Sequence, residues 1–497
     1  MEPYASLRNR TLFLFALGGA LAAPSLAAAQ QPPPSVPPPP PAPAATPMPN
    51  AAPDPIAAAL APRPGGLTPE EVAKVVSRTK HSVRAKQADL KAAAARVDQA
   101  FVGYFPKVSV SASYTRLSNL TLQPLVFNFN GTMIPVDPNA LFPVLVNNGA
   151  IGASLAVPIS DYVFRLAQGY AAASHNEKSA RHAAEAEALQ AGADAKISYF
   201  NWVRAKGGIV VAQEAIDQAK AHLEDAKKSF AVGLASKADV LRIDAQVAAA
   251  QQALAESVAF AAVAEEQLRV LLGTPPGGAL EIGADVMNEP AVAPSETLQA
   301  LQDQAMARRL ELRSLDEAIN SLREVESLNR AGYVPRIDGF ADVTYANPNQ
   351  RLVPAQQVWK GTWDLGVRAS WTLNDTFTTL GTVAEAKAHT ASTVEQRGAI
   401  QDGLRVEVAS AYADVLKAPP TIEAADRGMV SAQESLRVRR ELFRNGKATS
   451  TELIDAEGEM TQARLRRLDA HIGLLVARAR LDHATGRDAP VRPVNNE

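Results

Sequence analysis

The chain has 497 residues, a net charge of −2 and a pI near 6.4, which gives no electrostatic reason to expect nucleic acid or anionic lipid as a partner. It contains no cysteine, which excludes a lipid-anchored N-terminal cysteine, disulfides and thiolate metal sites together. Its seven histidines show no metal-ligand spacing, and no phosphate-cradling glycine loop, nucleophile elbow or paired catalytic acid is present, so neither cofactor nor metal nor enzymatic chemistry is expected.

In chain order, Arg8 and Arg10 precede an apolar run from Leu12 to Leu21, and Ala27-Ala28-Ala29 supplies small residues for cleavage. This is the order of a secretory signal peptide, expected over residues 1–29. Residues 30–66 are dominated by Pro and Ala and predict a disordered, polyproline-like leader. Farther on, no run of about eighteen uninterrupted apolar residues occurs; even the Ala-rich stretch 247–264 is broken by Gln251, Gln252 and Glu256. No transmembrane helix is therefore expected, and any membrane span would have to be built of β-strands closed into a barrel.

The remainder is an internal duplication. Gly103-Tyr104-Phe105-Pro106 matches Gly332-Tyr333-Val334-Pro335, with Val83-Arg84 matching Leu312-Arg313 upstream at the same spacing. Further on, Phe230 to Ser236 matches Phe443 to Thr449, in a correspondence that holds without a gap from Tyr199/Tyr412 to Gly273/Gly486. The sequence thus predicts two repeated halves, 67–273 and 296–486, joined by a linker 274–295 and followed by a tail 487–497.

Each half reads as helix, strand hairpin, helix, turn, helix. The first helices run over 67–103 and 296–332, and each ends at its Gly-Tyr-x-Pro because proline cannot continue a helix. The strands alternate cleanly. Val108, Val110, Ala112 and Tyr114 share one face against Lys107, Ser109, Ser111 and Ser113. Ile151, Ala153, Leu155 and Val157, then Ile337, Ala341, Val343 and Tyr345, then Trp363, Leu365, Val367, Ala369 and Trp371 continue the pattern. A period of two fits a half-buried soluble hairpin or a membrane strand with a lipid face and a lumen face. Tyr345, Trp359, Trp363 and Trp371 sit in or beside the second hairpin, where a membrane aromatic girdle is expected.

The helices after each hairpin keep a seven-residue period. Ile209, Ile216, Leu223 and Phe230 form one seam, Val240, Val247, Leu254, Ala261 and Leu268 the next, and Ile422, Met429, Leu436 and Phe443 their counterpart. Such a sustained heptad demands left-handed coiled-coil packing. From Asp161 to Ser229 the helix would extend on the order of 100 Å, with Gly207-Gly208 and, in the second half, Pro419-Pro420 as local weak points. Val232-Gly233-Leu234-Ala235 and Asn445-Gly446-Lys447-Ala448 interrupt the heptads at matching places and mark helix–helix turns. Just beyond, Glu452 and Asp455 lie three apart on one helical face, with Asp239 at Glu452's place in the first half. Such carboxylates are also what a helix dipole favours in a first turn. Four strands cannot close a barrel that needs about eight at minimum, so chains would have to share one.

The duplicated Gly-Tyr-x-Pro before each hairpin, with the turns Phe-x-x-Gly-x-Ala-[Ser/Thr]-x-x-[Asp/Glu], resembles the TolC-type outer-membrane efflux family over about residues 67–487. The resemblance implies a mainly α fold with a small β part. A homotrimer would share one membrane β-barrel, four strands from each chain, above a long coiled-coil helical barrel, with residues 274–295 and 487–497 in a mid-tunnel belt. It implies a passive duct of a tripartite efflux or type I secretion system in the outer membrane, surrounded by outer-membrane lipid and reaching far into the periplasm. A periplasmic adaptor (membrane fusion protein) would dock at the tip turns Val232–Ala235 and Asn445–Ala448 and link the duct to an inner-membrane transporter. Glu452, Asp455 and Asp239 would ring the periplasmic gate, where crowded carboxylates raise one another's pKa and attract cations. The competing reading is a soluble periplasmic coiled-coil scaffold or adaptor.

Overall fold

The structure is a computed structural model that describes residues 54–121, 123, 125–138, 143–275 and 279–488; the signal peptide, residues 30–53 of the leader and the end of the tail lie outside the described residues. The leader's expected end at 66 moves. Asp54 caps a short helix, α1 (Pro55–Ala59), whose Ile56 sinks with Leu60 into the main core. Two apolar side chains in an otherwise Pro- and Ala-rich stretch are enough to dock it.

The first helix of each half is broken once. α2 (Pro69–Thr79) and α3 (His81–Val102) meet at Lys80, which is extended. The equivalent break in the second half falls at Arg309, which is extended between helices Leu298–Arg308 and Leu310–Arg330. Neither site carries Pro or Gly. Arg309 is buried, pairs with Glu311 and Glu407 and donates to the carbonyl of His483, so tertiary contacts hold that break open.

The hairpin strands are β1 (Lys107–Arg116) and β4 (Asn147–Val157) in the first half, β5 (Arg336–Asn347) and β6 (Lys360–Ser370) in the second. They form one antiparallel sheet in the order β1-β4-β5-β6. Directly opposed residues share a face, and the register aligns the alternation across the sheet. Val110–Ala153–Val343–Trp363 and Val108–Leu155–Ala341–Leu365 run across one face, and Ser109–Ser154–Asp342–Asp364 across the other. A slip of one residue at any seam would have mixed the faces. The long loop of the first hairpin holds a second, two-stranded ribbon, β2 (Leu125–Phe129) and β3 (Thr132–Val136), closed by Asn130-Gly131, both at positive φ. Asn-Gly between alternating apolar residues is a strong hairpin signal, which the sequence analysis did not take up.

After β4, a one-turn helix α4 (Ile159–Phe164) gives way to α5 (Leu166–Ala231), and α6 (Lys237–Leu272) returns beside it. In the second half α7 (Leu298–Arg308) and α8 (Leu310–Arg330) precede the sheet, and α9 (Leu373–Arg444) and α10 (Ser450–Ala484) follow it. α9 is helical throughout, Pro419 and Pro420 included, and α5 runs unbroken through Gly207. Gly207 admits close packing: a Cβ there would lie 2.7 Å from a Leu468 methyl.

Most of the heptad seams are buried, Phe230 being exposed. Ile216, Leu223, Val247, Ala261, Leu268, Ile422 and Phe443 are all buried. α6 does reach the length and composition of a membrane-crossing helix, with a mean hydropathy of 1.3 in its most apolar window. Its apolar residues, however, include the seam Ile243, Val247, Ala250, Ala261 and Leu268, which is buried. The main core lies midway along the helices. There Trp202, Tyr199 and Val203 of α5 and Leu268 of α6 meet Leu468 and Ile472 of α10, Val72 and Val76 of α2, and Ile282, Val286 and Met287 of the linker. The linker is thus wrapped onto the helices, and Leu67 bridges Ile282 in parallel.

Candidate functional site: the helical tip and the sheet

The two turns are built alike. At the first, Leu234 N–H donates to the Ser229 carbonyl at 2.8 Å and Gly233 N–H to that of Phe230 at 3.1 Å. At the second, Lys447 N–H donates to Leu442 at 2.8 Å and Gly446 N–H to Phe443 at 3.0 Å. Both are Schellman closures, which require a left-handed residue at the glycine; Gly233 has φ +81 and Gly446 φ +67. The turns adjoin: a Cβ on Gly446 would lie 3.9 Å from a Leu234 methyl. Val232 and Leu234 are exposed there.

Beyond each turn the chain restarts on a capping box. Asp239 accepts from Ser236 N–H at 3.0 Å and Ser236 Oγ at 2.6 Å, and Glu452 accepts from Thr449 N–H at 2.9 Å. The equivalence that the duplication predicted for these two carboxylates is therefore a shared helix-start role. Each also reaches another element: Ser450 Oγ donates to Asp239 at 2.5 Å, and Arg439 donates to Glu452 at 2.9 Å. Crowded carboxylates at a mouth would raise one another's pKa. Within one chain the shift runs the other way. The Ser236 hydroxyl, then the Ser450 hydroxyl, lowers Asp239, and the Thr449 N–H, then Arg439, lowers Glu452. Asp455, one turn farther along α10, is exposed and makes no ion pair among the described residues.

The hairpins of the two halves are tied together behind the turns. Phe443 is buried against Ala219, Leu223, Ala226, Ile243 and Val247 of α5 and α6, whereas its repeat counterpart Phe230 is exposed. Arg242 donates to Thr451 Oγ1 at 2.6 Å, and Arg444 pairs with Asp225 at 2.9 Å.

His222 of α5 is 1% exposed, and His483 is buried as well. Arg440 Nε donates to His222 Nε2 at 2.8 Å, and Glu457 of α10 lies against Nδ1. An acceptor at Nε2 means the imidazole is neutral, with its proton on Nδ1 facing the Glu457 carboxylate. Burial, then the charge of Arg440, pulls its pKa down to about 4. Nothing in the heptad pattern marks position 222 as an interior contact of three helices. It lies off the α5–α6 seam and is covered by α9 and α10.

In the sheet, Trp359 and Trp371 flank β6 and Trp363 lies within it, all three on the apolar-face parity, with Tyr345 in β5. Trp359 stacks on Tyr345 with centroids 5.1 Å apart and covers Gly149, while Trp363 stands opposite Val343. Trp371 follows the opposite end of β6. Trp363 and Trp371 are about 27 Å apart along a strand at about 3.4 Å per residue. The opposite face carries Ser109 and Ser154, hydroxyl to hydroxyl at 2.7 Å, and Asp342 beside Asp364. Among the described residues there is no cluster of metal-ligating side chains.

Comparison with known proteins places this arrangement. The profile of the outer membrane efflux protein family matches residues 76–274 and 301–487, most of the chain. No curated protein sequence matches. Among solved structures the fold is similar to that of CusC, studied for folding and transmembrane channel formation, at 18% identity and TM-score 0.71, over 84% of this chain and 92% of that one. It is similar to the CmeC outer membrane channel of Campylobacter jejuni at 15% identity and TM-score 0.69, over 89% and 93%. The open-state MtrE outer membrane channel of Neisseria gonorrhoeae matches at 15% identity and TM-score 0.67, over 84% and 88%. With its two repeated halves, its coiled-coil body and its shared family profile, the chain belongs to the outer membrane efflux protein family and is an outer-membrane efflux channel, not an enzyme.

Proposed function

We propose that three copies assemble into one duct, with a shared twelve-stranded barrel to which each chain gives its four-stranded sheet. The long helices continue the duct across the periplasm. There the tip turns meet a periplasmic adaptor, which couples the duct to an inner-membrane transporter. The observation that carries this reading is the sheet itself. It has one continuous apolar face and one polar face, and both its outer strands lack a partner among the described residues. In lipid, unpaired strand edges are not tolerated, and only closure removes them. The same sheet in a soluble scaffold would expose Val108, Val110, Trp363, Leu365 and Val367 to water together. Light scattering of the protein in mild detergent is expected to give a trimer, and a monodisperse monomer would refute the shared barrel.

At the tip, Asp455 supplies the free carboxylate of the proposed periplasmic mouth, with Glu452 beside it held by Thr449 and Arg439. Three copies bring six carboxylates into one lumen. Divalent cations added on the periplasmic side of a planar bilayer are expected to reduce single-channel conductance. Glu452→Gln with Asp455→Asn should remove that block and lower cation selectivity. Gln still serves a capping box, so the thermal stability of the variant should stay near wild type. Equal block in both proteins would assign the pair to helix starting alone.

A further inference from the structure

The two hairpins differ where they turn back. In the second half the strands are joined by residues 348–359, whereas in the first the connection runs over 117–146 and carries the β2–β3 ribbon, which has no counterpart in the repeat. The addition is almost uncharged: Asp137 is the only ionisable side chain from Leu117 to Val146. In the ribbon's register Leu125 stands opposite Val136, Phe127 opposite Ile134 and Phe129 opposite Thr132, so these share one face. Val126 with Pro135 and Asn128 with Met133 form the other. Every residue of both strands except Val136 is exposed, Phe129 at 72%. A two-stranded ribbon alone is marginally stable at best in water, and a contiguous exposed apolar face marks a surface that something covers.

The chemistry of the ribbon selects among the surfaces within its reach. Hydrocarbon is disfavoured, because the outer edges of a two-stranded sheet carry backbone groups that lipid cannot satisfy. No Lys or Arg lies in the connection to meet anionic headgroups, and a charged protein partner finds nothing complementary there. The same ribbon of another copy meets neither obstacle, since uncharged identical faces converge on a threefold axis without repulsion. The dimensions agree. Twelve strands about 4.8 Å apart and tilted by about 40° enclose a mouth of about 12 Å radius, measured to the backbone. Residues 117–124 bridge up to about 25 Å, and each strand of the ribbon is about 17 Å long, so a ribbon rising from the rim reaches the axis.

We propose that the β2–β3 ribbons of the three copies pack against one another through the Leu125, Phe127, Phe129, Ile134 and Val136 face and close the outer mouth of the barrel. The proposal rests on the shared-barrel reading and adds a contact above it. This closure lies at the end of the duct opposite the tip turns, so it is separate from adaptor docking. Without an ionisable group in either strand, the contact has no dependence on pH.

The absence of native cysteine lets single cysteines report on the closure. The full-length chain carrying Phe127→Cys, treated with a short bismaleimide in outer-membrane vesicles, is expected to run largely as covalent dimers, because one cysteine per chain joins two copies. Val353→Cys, which is 86% exposed on the shorter connection of the same mouth, should cross-link about tenfold less. Entry from outside is read by Ser111→Cys, on the polar face of β1. In intact cells a bulky maleimide should label it about tenfold faster once Phe127→Asn and Phe129→Asn make the ribbon face polar. Light scattering checks that each chain is still a trimer. A trimer in which Phe127→Cys cross-links no better than Val353→Cys, or in which the polar pair leaves the labelling unchanged, would overturn the closure and leave the shared barrel standing. Quenching of a fluorophore on the Phe127→Cys chain by brominated lipid would do the same, by placing the ribbon on the membrane. A wild-type chain that scatters as a monomer would overturn both.

Discussion

Export by Gly233→Val and Gly446→Val variants is expected to fall about tenfold or more, with trimers still forming and the membrane sheet unchanged. Both glycines hold a left-handed backbone inside a Schellman closure, at φ +81 and φ +67. Forcing an L-residue into that region costs about 1–2 kcal/mol, and a β-branched one more. At about 1.4 kcal/mol per factor of ten, that is enough to depopulate the native turn substantially. A Cβ at Gly233 meets nothing within 4 Å, so the penalty there is conformational and not steric. The turns close α5 onto α6 and α9 onto α10, at the ends of those helices opposite the strands, so assembly through the sheet should survive. Export is measured with the cognate pump in cells depleted of other ducts, and trimers by light scattering. Normal export in both variants would remove the support for adaptor docking at these turns. Gly233→Ala and Gly446→Ala should give an intermediate loss, since alanine carries the left-handed penalty without the branch.

Acidification should loosen the tie between the two helical hairpins through His222. Its folded pKa of about 4 lies below the ordinary 6.5, so the native protein binds the proton less readily than the unfolded chain. The stability from burying a neutral imidazole is therefore complete above about pH 6.5 and drains away as pH falls toward 4. A shift of this size corresponds to about 3 kcal/mol per chain. The groups that face the imidazole are Asp225 on its own helix, Arg440 and Arg444 on α9, and Glu457 on α10. Protonation must occur at Nε2, where Arg440 donates, so it breaks that contact and sets two cations against each other. Unfolding between pH 7 and 4.5 is expected to show a steeper loss for the wild type than for His222→Gln, by about one proton per chain. Parallel slopes would mean that His222 takes up its proton in the folded protein as readily as in the unfolded chain, so that burial does not hold it neutral.

The duplication, the strand faces and the heptad seams were legible because each rests on a local period that a packed or lipid-facing surface imposes. Ile216, Leu223, Leu268 and Ile422 are buried where the period of seven puts them. Val110, Ala153, Val343 and Trp363 align across four strands as the period of two requires. The turns were legible for the same reason, since glycine interrupts the heptads where the chain reverses. The acidic residues after them were visible as residues, but their capping and cross-helix bonds were not. Whether a first-turn carboxylate folds back on its own N-cap or stands free in a lumen depends on neighbours such as Arg439 and Ser450.

By itself, then, the sequence determined two similar halves, each with a two-faced hairpin and a pair of helices joined at a glycine turn, because residue periodicity acts within one element. Only the tertiary structure decided what lies between elements. It broke the leading helices at Lys80 and Arg309 without Pro or Gly, docked Ile56 and Leu60 of the Pro/Ala-rich stretch into the core, and buried Phe443 while leaving its twin Phe230 exposed. It also enclosed His222 among three helices. Such contacts join residues far apart in the chain, and their energies depend on which surfaces meet, which no local period encodes.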